Sequence, residues 1–173
     1  MVTRGGNCYT RLFLEGFIRP GLDLGNWASR AGLTALGVVP TGPAEMSLYK
    51  QAHYAQPSTH LIRYTLRTDG FASVNAPYRG GELLTKPLKF SGRELVINFA
   101  TSAAGSVKVE LQDADGKALP GFSLADAREQ IGDDLERVVR WDSGADLSRL
   151  AGQPVRLRFV MKDADLYSLR FRP

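Results

Sequence analysis

The feature that most constrains the fold is the run Ser106-Val107-Lys108-Val109-Glu110-Leu111-Gln112, in which apolar and polar residues strictly alternate. Successive side chains of a β-strand point to opposite faces, so this pattern predicts a strand with one buried and one solvated face. A helix would scatter the same apolar set around its circumference. The pattern recurs. Val155, Leu157, Phe159 and Met161 alternate with Arg156 and Arg158. Tyr167, Leu169 and Phe171 alternate with Ser168, Arg170 and Arg172, and Leu95, Ile97 and Phe99 form a further set. Residues 135–141 repeat it more weakly, because Val138 interrupts the polar face. Five strands are therefore expected after residue 90.

Turn chemistry agrees with antiparallel connection. Asp113-Ala114-Asp115-Gly116-Lys117 carries the Asp-Gly pair that tolerates positive φ in a hairpin, and Lys162-Asp163-Ala164-Asp165 reads as a tight link between the last two strands. Short helical turns are expected at 125–130 and at 147–150, the latter with Asp146 as N-cap. The first third is less regular. Residues 8–18, 34–39, 45–51 and 60–66 are strand-like, punctuated by Arg19-Pro20-Gly21 and Pro40-Thr41-Gly42-Pro43. Thr68-Asp69-Gly70 marks a soft boundary, giving units at 1–67 and 68–173. A half-apolar sheet must cover its inner face, so the fold class expected is mostly β: an antiparallel, jelly-roll-like β-sandwich preceded by a shorter β segment.

Composition narrows the function classes. With 173 residues, 43% hydrophobic and 23% charged, the chain is a globular, domain-sized polypeptide and not a disordered or fibrous one. Its 22 Lys and Arg exceed 18 Asp and Glu by a formal +4, yet the basic residues are interleaved with apolar ones. Nucleic-acid binding, which draws on a concentrated basic footprint, is not expected. Apolar stretches such as Leu33 to Pro40 fall far short of the roughly 18 residues of a membrane helix. No membrane association is expected. No apolar signal-type segment follows Met1, so a cytoplasmic location is expected if Met1 is the natural start. Cys8 is the only cysteine, which rules out an intramolecular disulfide and leaves a cysteine zinc site unsupported. His53 and His60 lack the i, i+4 spacing of a zinc helix, and Asp113, Asp115 and Gly116 lack the remaining oxygen ligands of a calcium loop. No metal or cofactor is expected.

Two stretches carry a family likeness. The first contains Leu12-Phe13-Leu14-Glu15, Asn26-Trp27, Gly42-Pro43-Ala44-Glu45-Met46-Ser47-Leu48-Tyr49 and His53-Tyr54-Ala55-Gln56-Pro57. The second runs from Arg63-Tyr64-Thr65-Leu66-Arg67-Thr68-Asp69-Gly70 through Gly80-Gly81-Glu82-Leu83-Leu84 and Leu95-Val96-Ile97-Asn98-Phe99 to Leu166-Tyr167-Ser168-Leu169. Together they resemble the C-terminal part of bacterial glycoside-hydrolase-like proteins, in which a five-bladed β-propeller similar to glycoside hydrolase family 32 precedes a β-sandwich. The resemblance implies that residues 1–67 correspond to the end of the propeller. The family's acidic motifs, Trp-Met-Asn-Asp-Pro-Asn-like, Arg-Asp-Pro and Glu-Cys, do not occur in this chain. Glycosidases need two carboxyl groups, about 5–5.5 Å apart in retaining enzymes and about 6.5–9.5 Å in inverting ones.

Within that likeness, Glu45 opens a strand after a Pro-Gly loop and is the candidate acid or substrate contact, the alternative being a strand-edge carboxylate. His53, Tyr54, His60 and Arg63 are candidate sugar contacts, or else packing residues where the two units meet. Trp27 and Trp141 could stack on sugar rings, although Trp141 ends an alternating strand and reads more readily as core. Ser, His and Asp are present for a hydrolase triad, but no Gly-x-Ser-x-Gly elbow occurs. Neither Gly5-Gly6 nor Gly80-Gly81 fits a phosphate-cradling loop. Three readings follow: a non-catalytic carbohydrate-associated module, a glycoside hydrolase for fructosides, arabinosides or xylosides with an assembled cleft, and a structural or interaction domain. The expected partners are carbohydrate and either a second copy or the missing blades. The second copy or the blades would meet the apolar positions Leu12, Phe13, Leu14, Phe17 and Ile18.

Overall fold

The computed structural model describes residues 7–9, 11, 14–29 and 32–173. The chain divides into two compact units, Met1–Leu66 and Arg67–Pro173. It is mostly β, with antiparallel sheets, one of them curled in the manner of a β-sandwich. No described helix is long and apolar enough to cross a membrane.

In the first unit a 3-10 turn, Leu24–Trp27, is capped by Asp23, whose carboxylate accepts from Gly25 N at 2.9 Å. Strands β1 (Val39–Pro40), β2 (Glu45–Ala52) and β3 (His60–Arg67) form one sheet in chain order. The strands expected at 45–51 and 60–66 are present. The one expected at 34–39 shrinks to β1 and a lone bridge from Thr34 to Lys50. No described residue between 8 and 18 is in a strand; Leu12 and Phe13 lie outside the described residues. In the described part, Gly16 and Pro20 interrupt any alternation of apolar and polar residues that could fix a pairing register.

In the second unit the five strands expected after residue 90 prove to be three, two of them very long. The segments around Leu95 and Val109 belong to one strand, β6 (Glu94–Gln112), and those around Phe159 and Leu169 to another, β8 (Arg156–Arg172). Residues 162–165 are therefore not a connecting turn. They continue β8, which pairs antiparallel with β6 from Glu94↔Arg172 to Gln112↔Arg156. The misreading has a physical basis: Asp163 sits at φ 43, and the register shifts between Thr101 and Ser106, so that four residues of β6 face one of β8. Such bulges bend and twist a strand pair without ending it. Strands β4 (Val74–Ala76) and β5 (Gly81–Leu84) line the other edge of β8, and β7 (Asp133–Val138) lines β6.

The irregularities decide which residues face inward. Along β6 the odd positions Leu95, Ile97, Phe99, Val107, Val109 and Leu111 all enter one apolar cluster. Along β8 the inward set is Leu157, Phe159 and Met161, preceded by Val155, then Ala164 and Leu166, then Leu169 and Phe171. Each change of parity coincides with an irregularity, at Asp163 and at Tyr167, which the pairing of Asn98 with Ser168 and Phe99 with Leu166 leaves as an extra residue. Tyr167, expected inward, is thus displaced from the cluster, and Leu166 takes its place. Its ring instead lies under the Arg67 guanidinium, 4.3 Å from the centroid.

The hairpin after β6 forms as expected. Asp113 N donates to Lys117 O at 2.9 Å, and its carboxylate accepts from the N–H groups of Asp115 and Lys117. Asp146 caps a 3-10 turn, Leu147–Leu150. The helical turn expected at 125–130 is absent. Ser123 and Asp126 close a simple turn there, after which Ala127 bridges to Trp141 and Gln130 to Val107. Long-range pairing outweighs the weak local helical preference.

Candidate functional site

A cleft of about 450 Å³ opens in the second unit, within the usual ligand-pocket range of roughly 300–1,000 Å³. Arg93 and the first residue of β6, Glu94, form one side. The chain beyond β7 contributes Arg140, Trp141 and Asp142, and Arg128 and Asp146 complete the polar rim. Val139 N donates to Leu95 O and Asp142 N to Asp126 O, so backbone pairing holds these walls in place.

The cleft carries three guanidinium groups and three carboxylates. Every carboxylate has a partner: Glu94 accepts from Arg172 Nε at 2.7 Å, Asp142 from Arg128 Nε at 2.5 Å, and Asp146 from Ser148 N at 3.0 Å. The hydrogen bond from Arg172 holds the Glu94 carboxyl below its usual range, helped by the positive charges of Arg172, Arg140 and Arg93. Bonds from the Ser148 side chain and N–H do the same for Asp146. Both are therefore acceptors at neutral pH and not proton donors. Arg93 and Arg140 are exposed and make no ion pair among the described residues. Trp141 forms part of the wall but is buried. Its indole N–H donates to Val109 O at 2.8 Å, and its ring meets Phe122 edge-on, as the core reading expects.

Glu45, His53, Tyr54, His60 and Arg63, singled out from the sequence, fall into two groups in the first unit. Glu45 opens β2 and is ion-paired to Arg63 on β3. Thr41 Oγ1 also donates to Glu45, at 2.8 Å, and Arg63 Nε donates to Ser47 Oγ at 2.9 Å. No second carboxylate joins this hydrogen-bonded cluster among the described residues. His53, in the loop joining β2 to β3, meets His60, the first residue of β3, their rings edge-to-face at 4.9 Å. Tyr54 follows His53 in that loop and is 44% exposed. Among the described residues no hydrogen bond, ion pair or ring contact is found between the Glu45–Arg63 pair and the histidines.

No protein-family model, curated protein or solved structure matches the chain. Among the described residues no group of three or more potential metal ligands gathers. Sequence reasoning missed Asp23 and Ser58, which partner His53, and the cleft arginines. Asp23 lies thirty residues from His53. The arginines come from three separate segments, with only Trp141 between Arg140 and Asp142 as a local signal.

Proposed function

We propose that the chain is a carbohydrate-associated β-sandwich module of a glycoside-hydrolase-like protein, whose cleft in the second unit binds a polyhydroxylated ligand without cleaving glycosidic bonds. The observation that carries this reading is the cleft's lining: planar donors and acceptors matched in number, with every carboxylate already partnered. A sugar ring presents many hydroxyls that both donate and accept, and such a lining can pair them without a net-charge requirement. Glycoside cleavage needs a protonatable acid beside a second carboxylate; Glu94 and Asp146 are held below their usual range and Asp142 is tied to Arg128, which does not favour that role.

A glycan array followed by calorimetric titration of the best hits tests the reading. Arg93→Ala and Arg140→Ala, both at exposed positions, are expected to weaken binding about tenfold or more and leave the fold intact. Failure of every saccharide to bind would favour a structural or interaction domain. Turnover of chromogenic fructosides, arabinosides or xylosides that disappears in Glu45→Gln would instead favour a glycosidase centred on the first unit.

A further inference from the structure

The loop joining β2 to β3 holds an arrangement that the saccharide reading does not use. Ser58 Oγ lies 2.8 Å from His53 Nδ1, and Asp23 Oδ2 lies 2.7 Å from His53 Nε2. Asp23 in its ionised form can only accept, so Nε2 carries the imidazole proton and Nδ1 accepts from the serine hydroxyl. The Asp23 carboxyl is held below its ordinary value, first by the hydrogen bond from His53 and then by the N–H of Gly25. The two imidazole nitrogens are exchanged relative to the usual serine-hydrolase arrangement, which leaves the direction of proton transfer unchanged.

The loop is built around this chain of bonds. His53 and Ala55 both lie at positive φ, 51° and 60°, a conformation non-glycine residues adopt at a cost. His53 N donates to Asn26 Oδ1, and Gln56 Nε2 donates to Gly25 O, which ties the loop to the Leu24–Trp27 turn. Gly25 packs so closely on the imidazole that a Cβ there would lie 2.6 Å from Nε2. His60 Nδ1 donates to the Ser58 carbonyl and fixes the backbone beneath the serine. The imidazole is thereby shielded, its side chain 16% exposed, while Ser58 stands open to solvent.

We propose that Ser58 is a nucleophile, activated by His53 and oriented through Asp23, that takes small acyl groups from carboxylic esters and passes them to water. Ser58 Oγ forms a bond to the ester carbonyl carbon as its proton moves to His53 Nδ1. Collapse of the adduct breaks the acyl–oxygen bond, and the departing alkoxide takes that proton and leaves as the alcohol. Water then adds to the acyl-serine and gives a proton to Nδ1. Collapse of this second adduct returns the proton to Ser58 and releases the carboxylic acid. Small acyl groups fit because Ser58 lies on an open loop. The site and its chemistry are independent of the cleft in the second unit.

The test is labelling of the full chain with a fluorophosphonate, mapped by peptide mass spectrometry, alongside hydrolysis of p-nitrophenyl acetate. An adduct on Ser58 is expected, with turnover above that of Ser58→Ala. His53→Gln and Asp23→Asn are each expected to slow labelling about 10²-fold, the lower end of a general base's usual contribution. Circular dichroism reports whether each variant is folded; if His53→Gln is not, Asp23→Asn decides. Absence of an adduct on Ser58, or labelling of a folded variant at the wild-type rate, overturns the proposal.

Discussion

Leu157 has no exposed surface and lies between Val155 and Phe159 on the inward face of β8. Truncation there removes buried methyl groups and leaves a cavity, so Leu157→Ala is expected to cost roughly 2–5 kcal/mol, read from the urea midpoint. An unchanged midpoint would contradict the inward assignment. Gly105 tests the bulge in the same way. A Cβ at that position would run into the Asp163 carbonyl and lie 2.7 Å from the Lys162 carbonyl, both of them rigid backbone. Gly105→Ala is expected to destabilise by about 1–3 kcal/mol, as overpacking does. Gly116 makes the contrast, since its nearest neighbour, Gln112 Oε1, is 3.8 Å away and only its φ of 88° disfavours a side chain.

At the scale of elements, carboxylates at strand and turn starts tie local structure together. In β7 the Asp134 carboxyl is held below its ordinary value, first by the Glu136 N–H and then by the Arg137 side chain. Glu82 on β5 is lowered by its bond to Arg158 on β8. A carboxyl with a depressed folded-state pKa binds fewer protons native than unfolded. Its contribution is complete above the unfolded value of about 4 and is lost as pH falls from there through the lower folded value. The urea midpoint is therefore expected to hold from neutrality down to about pH 5 and to drop below about pH 4. Asp134→Asn should lower the midpoint at neutral pH and shrink the acid drop. An equally steep acid limb in that variant would remove Asp134 from the account.

For the whole molecule, the first unit is where self-association is proposed. Among the described residues its sheet ends on β3, whose Leu61 is 70% exposed, and Leu36 and Leu14 are exposed as well. Unpaired strand edges and exposed apolar side chains favour pairing with another chain, and a twofold dimer is the commonest closed assembly. Light scattering over a concentration series is expected to give twice 18.9 kDa at high micromolar concentration, with the monomer restored by Leu61→Lys. A monodisperse 18.9 kDa species throughout would defeat the dimer.

The alternation in residues 106–112 and 155–161, together with the Asp-Gly turn at 113–117, determined from sequence alone that the chain is an antiparallel β protein and which apolar residues of those runs are buried, but not that Glu110 and Gln112, expected on the solvated face, are buried as well. Period-two patterning and turn stereochemistry are local properties, so they can be read locally. The same logic located β2, β3 and the Asp146 cap, and placed Glu45 at the head of a strand. Only the tertiary structure decided that four of the expected strands are halves of β6 and β8, because a bulge is a mismatch between two strands and leaves no signature in either alone. It also decided the parity change that put Leu166 inward in place of Tyr167. The sites were hidden for the same reason: Asp23, His53 and Ser58 meet through loop geometry, and Arg93, Arg128 and Arg140 converge through strand pairing, neither of which has a spacing that a linear pattern can show.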